Sequence, residues 1–110
     1  MIMVNNDKVP ELSLKEFDDF VKEGVVLIDF HAEWCMPCLM MAPVIDELSE
    51  KFEGKIKFGK VNIDENNDLA RKFNVASIPN FVLFKDGKPI DQFMGAMPLE
   101  DFSTKLKKTL

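Results

Sequence analysis

Val25-Val26-Leu27-Ile28-Asp29-Phe30-His31-Ala32-Glu33-Trp34-Cys35-Met36-Pro37-Cys38 is the stretch on which the reading of this chain turns. Its first six residues are apolar but for one carboxylate, and the apolar residues run on without alternating with polar ones. That pattern belongs to a strand buried on both faces. Beyond the cysteines, Met41, Val44, Ile45, Leu48 and Phe52 recur at helical spacing, which predicts a helix from about Cys35 to Phe52, ended by Gly54. Pro43 lies inside that helix and should bend it.

Working outward, Ser13-Leu14-Lys15-Glu16 has the form of a capping box, with Leu14, Phe17, Phe20 and Val21 at helical spacing and Gly24 placed to stop the helix. Ile2 to Val4 is a candidate short edge strand. Ile56 to Ile63 is rich in β-formers, with Gly59 expected to mark a bulge. Asp68 to Phe73 should form a short helix that stops near Asn74. Phe81 to Phe84 and Pro89 to Phe93 flank Asp86-Gly87, a strong hairpin signal. Pro98 suits a helix's first turn. Glu100 and Asp101 follow it, and Lys105, Lys107 and Lys108 crowd the far end, so both ends match the helix dipole. That lysine cluster is a solvated helix end rather than a binding patch. The order β-α-β-α-β-α-β-β-α, without repeat or linker, predicts one α/β domain over residues 1–110. In it a mixed five-stranded sheet lies between helices on both faces, with parallel pairs joined by right-handed crossovers.

Composition narrows the function. Of 110 residues 46% are apolar, with ten Phe and five Gly, so the chain is neither disordered nor fibrous. No apolar run approaches the roughly 20 residues of a membrane span, and the N-terminal residues show no export signal. A net charge of −5 argues against nucleic acid or anionic lipid as partner. Two cysteines are too few to staple a secreted mini-domain. The expectation is a cytoplasmic monomer.

Those two cysteines carry the chemistry. At the first turn of a helix, two thiols at this spacing can close a disulfide with little backbone movement. The free N–H groups and positive dipole end there favour a thiolate at Cys35, while Cys38, one turn in, should be more buried and less acidic. This division makes Cys35 the attacking sulfur and Cys38 the resolving one. Two plainer readings stand beside it: a pair of buried structural cysteines, or half of a metal or iron–sulfur site, for which His31 is the only histidine. Asp29 likewise has two readings. Buried within the apolar run it would have a raised pKa; at an exposed strand end it would be ordinary.

Asp29-Phe30-His31-Ala32-Glu33-Trp34-Cys35-Met36-Pro37-Cys38 resembles the active-site signature of the thioredoxins. So do Met41-Ala42-Pro43, Lys60-Val61-Asn62-Ile63-Asp64, Ser77-Ile78-Pro79, Phe84-Lys85-Asp86-Gly87 and Gly95-Ala96, in order and spacing over nearly the whole chain. The resemblance implies the thioredoxin fold and a dithiol–disulfide exchange that reduces protein disulfides through a reversible Cys35–Cys38 bond. No bound cofactor or metal is implied. Electrons would come from a separate thioredoxin reductase, NADPH- or ferredoxin-linked, and go to disulfide-containing proteins. A glutaredoxin-like or isomerase-like exchange protein is the nearest alternative.

The resemblance also assigns residues. Asp29 would take the proton from Cys38, with Lys60 near enough to oppose part of its pKa shift. An X-Pro bond is trans in most folded proteins, but Pro79 matches the family's cis-proline, which faces the cysteines. The implied docking surface is Trp34, Met36, Pro37, Ile78, Pro79, Gly95 and Ala96, with Asp64 a candidate partner for the Trp34 indole N–H. Four positions depart from the common pattern: Met36 for glycine, His31 for an aromatic residue, Leu39 for a basic residue and Asn80 for threonine. Met36, Met40, Met41, Met94 and Met97 are read either as an adaptable rim around the thiols or, for Met40, Met41 and Met94, as core filler, with Met36 and Met97 placed to be exposed. His31 is read either as a packed neutral side chain or as a group whose titration makes the redox chemistry pH-sensitive.

Overall fold

The buried strand and the helix behind it occupy the centre of the computed structural model, which describes residues 9–110. The elements are α1 (Leu14–Val21), β1 (Val25–His31), α2 (Met36–Lys51), β2 (Ile56–Asn62), α3 (Asn67–Lys72), β3 (Asn80–Lys85), β4 (Lys88–Met94) and α4 (Leu99–Lys107). The sheet runs β2-β1-β3-β4. β1 pairs parallel with β2 and antiparallel with β3, and β4 is antiparallel to β3. The architecture is a mixed sheet between helices, the α/β arrangement that the order of elements predicts and that the resemblance to the thioredoxins implies.

Alternation along β1 explains the two cores. Leu27 packs with Met41, Ile45 and Leu48 of α2 and with Phe102 and Leu106 of α4. Val26, Ile28 and Phe30 point to the other face, against Phe17 and Val21 of α1 and Leu69 of α3. Residues 26–30 of β1 are all buried, as an unbroken apolar strand requires. Asp29 shares strand phase with Leu27, so it belongs to the face covered by α2.

Local signals act where the sequence places them. The Ser13 N–H donates to Glu16 Oε1 at 2.9 Å, and the Ser13 hydroxyl donates to the same oxygen. These bonds hold the Glu16 carboxyl below its usual pKa. Asp86 (φ +49°) and Gly87 (φ +86°) both take the left-handed conformation of a two-residue hairpin turn. Asp86 also ties the hairpin to the start of β1: its Oδ1 accepts the Gly24 N–H at 2.8 Å, and its own N–H donates to the Gly24 carbonyl at 2.9 Å.

The differences are as instructive. The candidate strand Ile2–Val4 lies outside the described residues, and among those residues the sheet has four strands rather than five. Pro10 to Leu12 run beside β2, with Lys60 N–H on the Pro10 carbonyl and Leu12 N–H on the Lys60 carbonyl. Gly59 marks no bulge. Its pairing with Ile28 lies within an unbroken register, and the irregularity falls at Leu83/Phe84 instead. Gly59 answers a different demand, since a Cβ there would stand 2.9 Å from Leu12 Cδ1 and 2.9 Å from Phe20 Cε2. Pro98 is the N-cap of α4 rather than a residue of its first turn.

A Cβ that close requires the Leu12 side chain or the Phe20 ring to shift. Gly59→Ala is therefore expected to destabilise the fold by about 1 kcal/mol, the lower end of overpacking costs. Urea denaturation checks this, and a variant as stable as wild type would show that the pocket relaxes.

Candidate active site

The sulfur pair sits where β1 hands the chain to α2. Cys35 is the N-cap of α2, with extended backbone (φ −87°, ψ 103°), and Met36 and Pro37 are its first helical residues. Proline suits that place because first-turn N–H groups have no partner within the helix. The Cys38 N–H donates to Cys35 Sγ at 3.2 Å, so a sulfur takes the capping role usually filled by a side-chain oxygen. Cys35 and Cys38 are joined as a disulfide, with their Cα atoms 5.3 Å apart.

Burial does not separate the two sulfurs as expected: Cys35 is 4% exposed and Cys38 6%. Both are covered together with Ala32, and Ile63 and Ile78 pack against them. What distinguishes Cys35 is the N–H it accepts at the helix end. Ile78 precedes a cis peptide bond to Pro79. Pro79 is itself buried, and its carbonyl accepts the Gly95 N–H at 2.9 Å. That bond brings the end of β4, and Ala96 after it, to the same side of the molecule. Among the described residues nothing lies within 4 Å of where a Gly95 side chain would start.

Trp34 is two-thirds exposed, and its indole N–H donates to Asp64 Oδ2 at 2.8 Å. Asp64 is held in turn, because its N–H donates to Asn62 Oδ1 at 2.8 Å. Met36 and Pro37 are exposed beside the ring. The methionine expectations need correction. Met40 and Met94 are exposed, Met41 alone of the three is in the core, and Met97 is half-buried. Helical phase accounts for the first pair: Met41 lines up with Ile45 and Leu48 toward the sheet, which turns Met40 and Leu39 outward. Met94 is exposed at the end of the edge strand.

Asp29 is buried, and among the described residues its Oδ1 has no hydrogen-bond partner. Burial raises its pKa from 3.8 to about 6, while the charges of His31 and Lys60 pull it down and Glu11 pushes it up. Lys60 stands opposite Asp29 in the β1–β2 register. His31 Nε2 meets the Glu11 carboxylate at 2.9 and 3.1 Å. Glu11 escaped the sequence reading: it lies 20 positions from its partner and carries no motif. The bridge between Glu11 and Lys60 that brings it there depends on tertiary pairing. Among the described residues no three His, Cys, Asp or Glu side chains are grouped to hold a metal ion.

A strand-to-helix junction with two sulfurs bonded across one helical turn, on a mixed α/β sheet, defines a thiol–disulfide oxidoreductase. The comparisons specify which kind. The thioredoxin family model matches residues 8–108. A thioredoxin of Staphylococcus saprophyticus is 46% identical over 94 residues, covering 86% of this chain and 90% of the relative. One of Staphylococcus aureus is 46% identical over 95 residues, covering 86% and 91%. The chain belongs to the thioredoxin family, and with its redox-active disulfide it is a protein-disulfide reductase.

The buried carboxylate makes a measurable statement about stability. The folded state prefers protonated Asp29, so this group's contribution is full below pH about 4 and is lost as pH rises through about 6. Asp29→Asn should therefore be more stable than wild type at pH 8, by up to about 3 kcal/mol. The gap should close below pH about 4. Urea midpoints across that range test it, and a variant weaker than wild type at pH 8 would contradict the burial argument.

Proposed function

We propose that the protein is an electron carrier of the cytoplasm in which Cys35 is the nucleophile, Cys38 the resolving thiol and Asp29 the proton acceptor. In the reduced protein the Cys35 thiolate attacks one sulfur of a substrate disulfide, forming a mixed disulfide and releasing the other sulfur as a thiolate. Cys38 then gives its proton to the Asp29 carboxylate through a bridging water. The Cys38 sulfur attacks Cys35 Sγ and expels the second substrate sulfur. Two electrons have moved to the substrate, and the Cys35–Cys38 bond is restored. A separate reductase, NADPH- or ferredoxin-linked, reduces that bond again, and the domain works as a monomer with no bound cofactor or metal.

The observation that carries this reading is the inequality of the sulfurs: Cys35 Sγ accepts a helix-end N–H that favours its anion. Asp29 supports it through position, being buried on the sheet face that α2 covers. A carboxyl with a pKa near 6 can accept a proton near neutral pH and return it later. Trp34, Met36, Pro37, Ile78, Pro79, Gly95 and Ala96 form the docking surface. Ile78 offers its backbone to an extended substrate segment, as in strand addition. Lys60 and His31 act through the charge they place near Asp29.

Single-turnover mixing of the reduced protein with a protein disulfide tests the assignment. Cys35→Ser should abolish reduction, and Cys38→Ser should accumulate the mixed disulfide. Asp29→Asn should slow resolution about a hundredfold, the low end of a general-base effect, while attack changes little. Equal slowing of both steps would remove Asp29 from proton transfer, and turnover by Cys35→Ser would remove the mechanism.

A further inference from the structure

Asn80 follows Pro79, opens β3 and is fully buried. A buried amide is tolerated when its donors and acceptor are matched, and here they form a chain of bonds. Its Nδ2 donates to the Ser77 carbonyl at 3.2 Å, and its Oδ1 accepts from Gln92 Nε2 at 2.9 Å. The same Gln92 nitrogen donates to the carbonyl of Phe73, the C-cap of α3, at 2.9 Å. Two further bonds fasten this segment to the end of β4: Gly95 N–H to the Pro79 carbonyl at 2.9 Å, and the Ser77 hydroxyl to Met94 Sδ at 3.1 Å. The residues between these anchors include Ile78, which packs against the cysteine pair.

We propose that Asn80 and Gln92 are positioning residues: by holding the Ser77 carbonyl between β4 and the end of α3, they fix the Ser77–Pro79 segment where a protein disulfide must align with Cys35. This rests on the reading that the Ile78 backbone receives the substrate chain. A threonine hydroxyl would have to donate and accept through one oxygen close to the backbone, whereas the amide reaches Ser77 and Gln92 from two separate atoms. The clamp therefore belongs to the asparagine this chain carries. Bonds that satisfy a buried amide rigidify what they join, and a small displacement of a positioning element costs substrate alignment.

The test compares insulin, a protein disulfide, with a small aromatic disulfide reagent that needs no docking segment. Wild type, Asn80→Ala, Gln92→Ala and the double variant are kept reduced by dithiothreitol, and thermal unfolding is followed in parallel. Asn80→Ala should raise KM for insulin about three- to tenfold with kcat within about twofold, the size expected for one or two lost hydrogen bonds. The rate with the small reagent should stay within about twofold. The double variant should be no worse than Asn80→Ala, because the two side chains act as one unit. An unchanged insulin KM, or a parallel fall with both disulfides, overturns the proposal. If Asn80→Ala does not fold, Gln92→Ala decides alone, since Gln92 is exposed. The Cys35→Ser control measures the underlying reading separately: turnover surviving there refutes the dithiol mechanism whatever the clamp variants do.

Discussion

Everything in this site depends on one junction, where Cys35 ends the extended backbone after β1 and caps α2. The strand is buried on both faces, so its end cannot drift, and α2 is locked to the sheet by Met41, Ile45 and Leu48. A sulfur placed there inherits the field of the helix end without any charged neighbour being needed. That matters in this chain, because Leu39 stands where the family pattern has a cation. The helix end and the Cys38 N–H both meet Cys35 Sγ, where they would favour a thiolate.

The second constraint is electrostatic and runs across the sheet. Glu11 bridges to Lys60, Lys60 pairs with Asp29, and His31 returns to Glu11. Backbone partners in neighbouring strands point their side chains to the same face, so these charges share the side on which α2 lies. Their effects on Asp29 oppose one another: His31 and Lys60 favour its anion, while Glu11 disfavours it. Burial wins, because desolvation penalises the charged form and no partner among the described residues meets Asp29 Oδ1. A carboxyl ionised at every working pH could return no proton, and one neutral at every working pH could accept none.

What the sequence disclosed and what it hid divide along physical lines. The unbroken apolar run, the capping box, the Asp86-Gly87 turn and the helical spacing behind Cys35 are local signals, and the structure follows them. The cis bond before Pro79 was legible through the family pattern and not through the residues, which favour trans. Gly59 was legible as unusual but not as to why, because the atoms it makes room for come from Leu12 and Phe20. Glu11 and Gln92 were hidden for the same reason. Each acts on the site through a partner that only tertiary pairing brings near. The misplaced Met40 shows that helical phase decides exposure more strictly than residue type does.

The exposed face beside the sulfurs has a consequence for recognition. Trp34, Met36, Leu39 and Met40 are exposed on or just before the first turns of α2, in a chain with net charge −5. Apolar contact is indifferent to sequence, and methionine and leucine side chains repack around differently shaped partners. Orientation must therefore come from elsewhere. The directional groups nearby are backbone ones, in the segment around Ile78 and Pro79 that Ser77, Asn80 and Gly95 hold in place. A surface divided in this way, adaptable on the helix side and held on the loop side, suits a protein-disulfide reductase, which has to recognise a disulfide rather than one sequence.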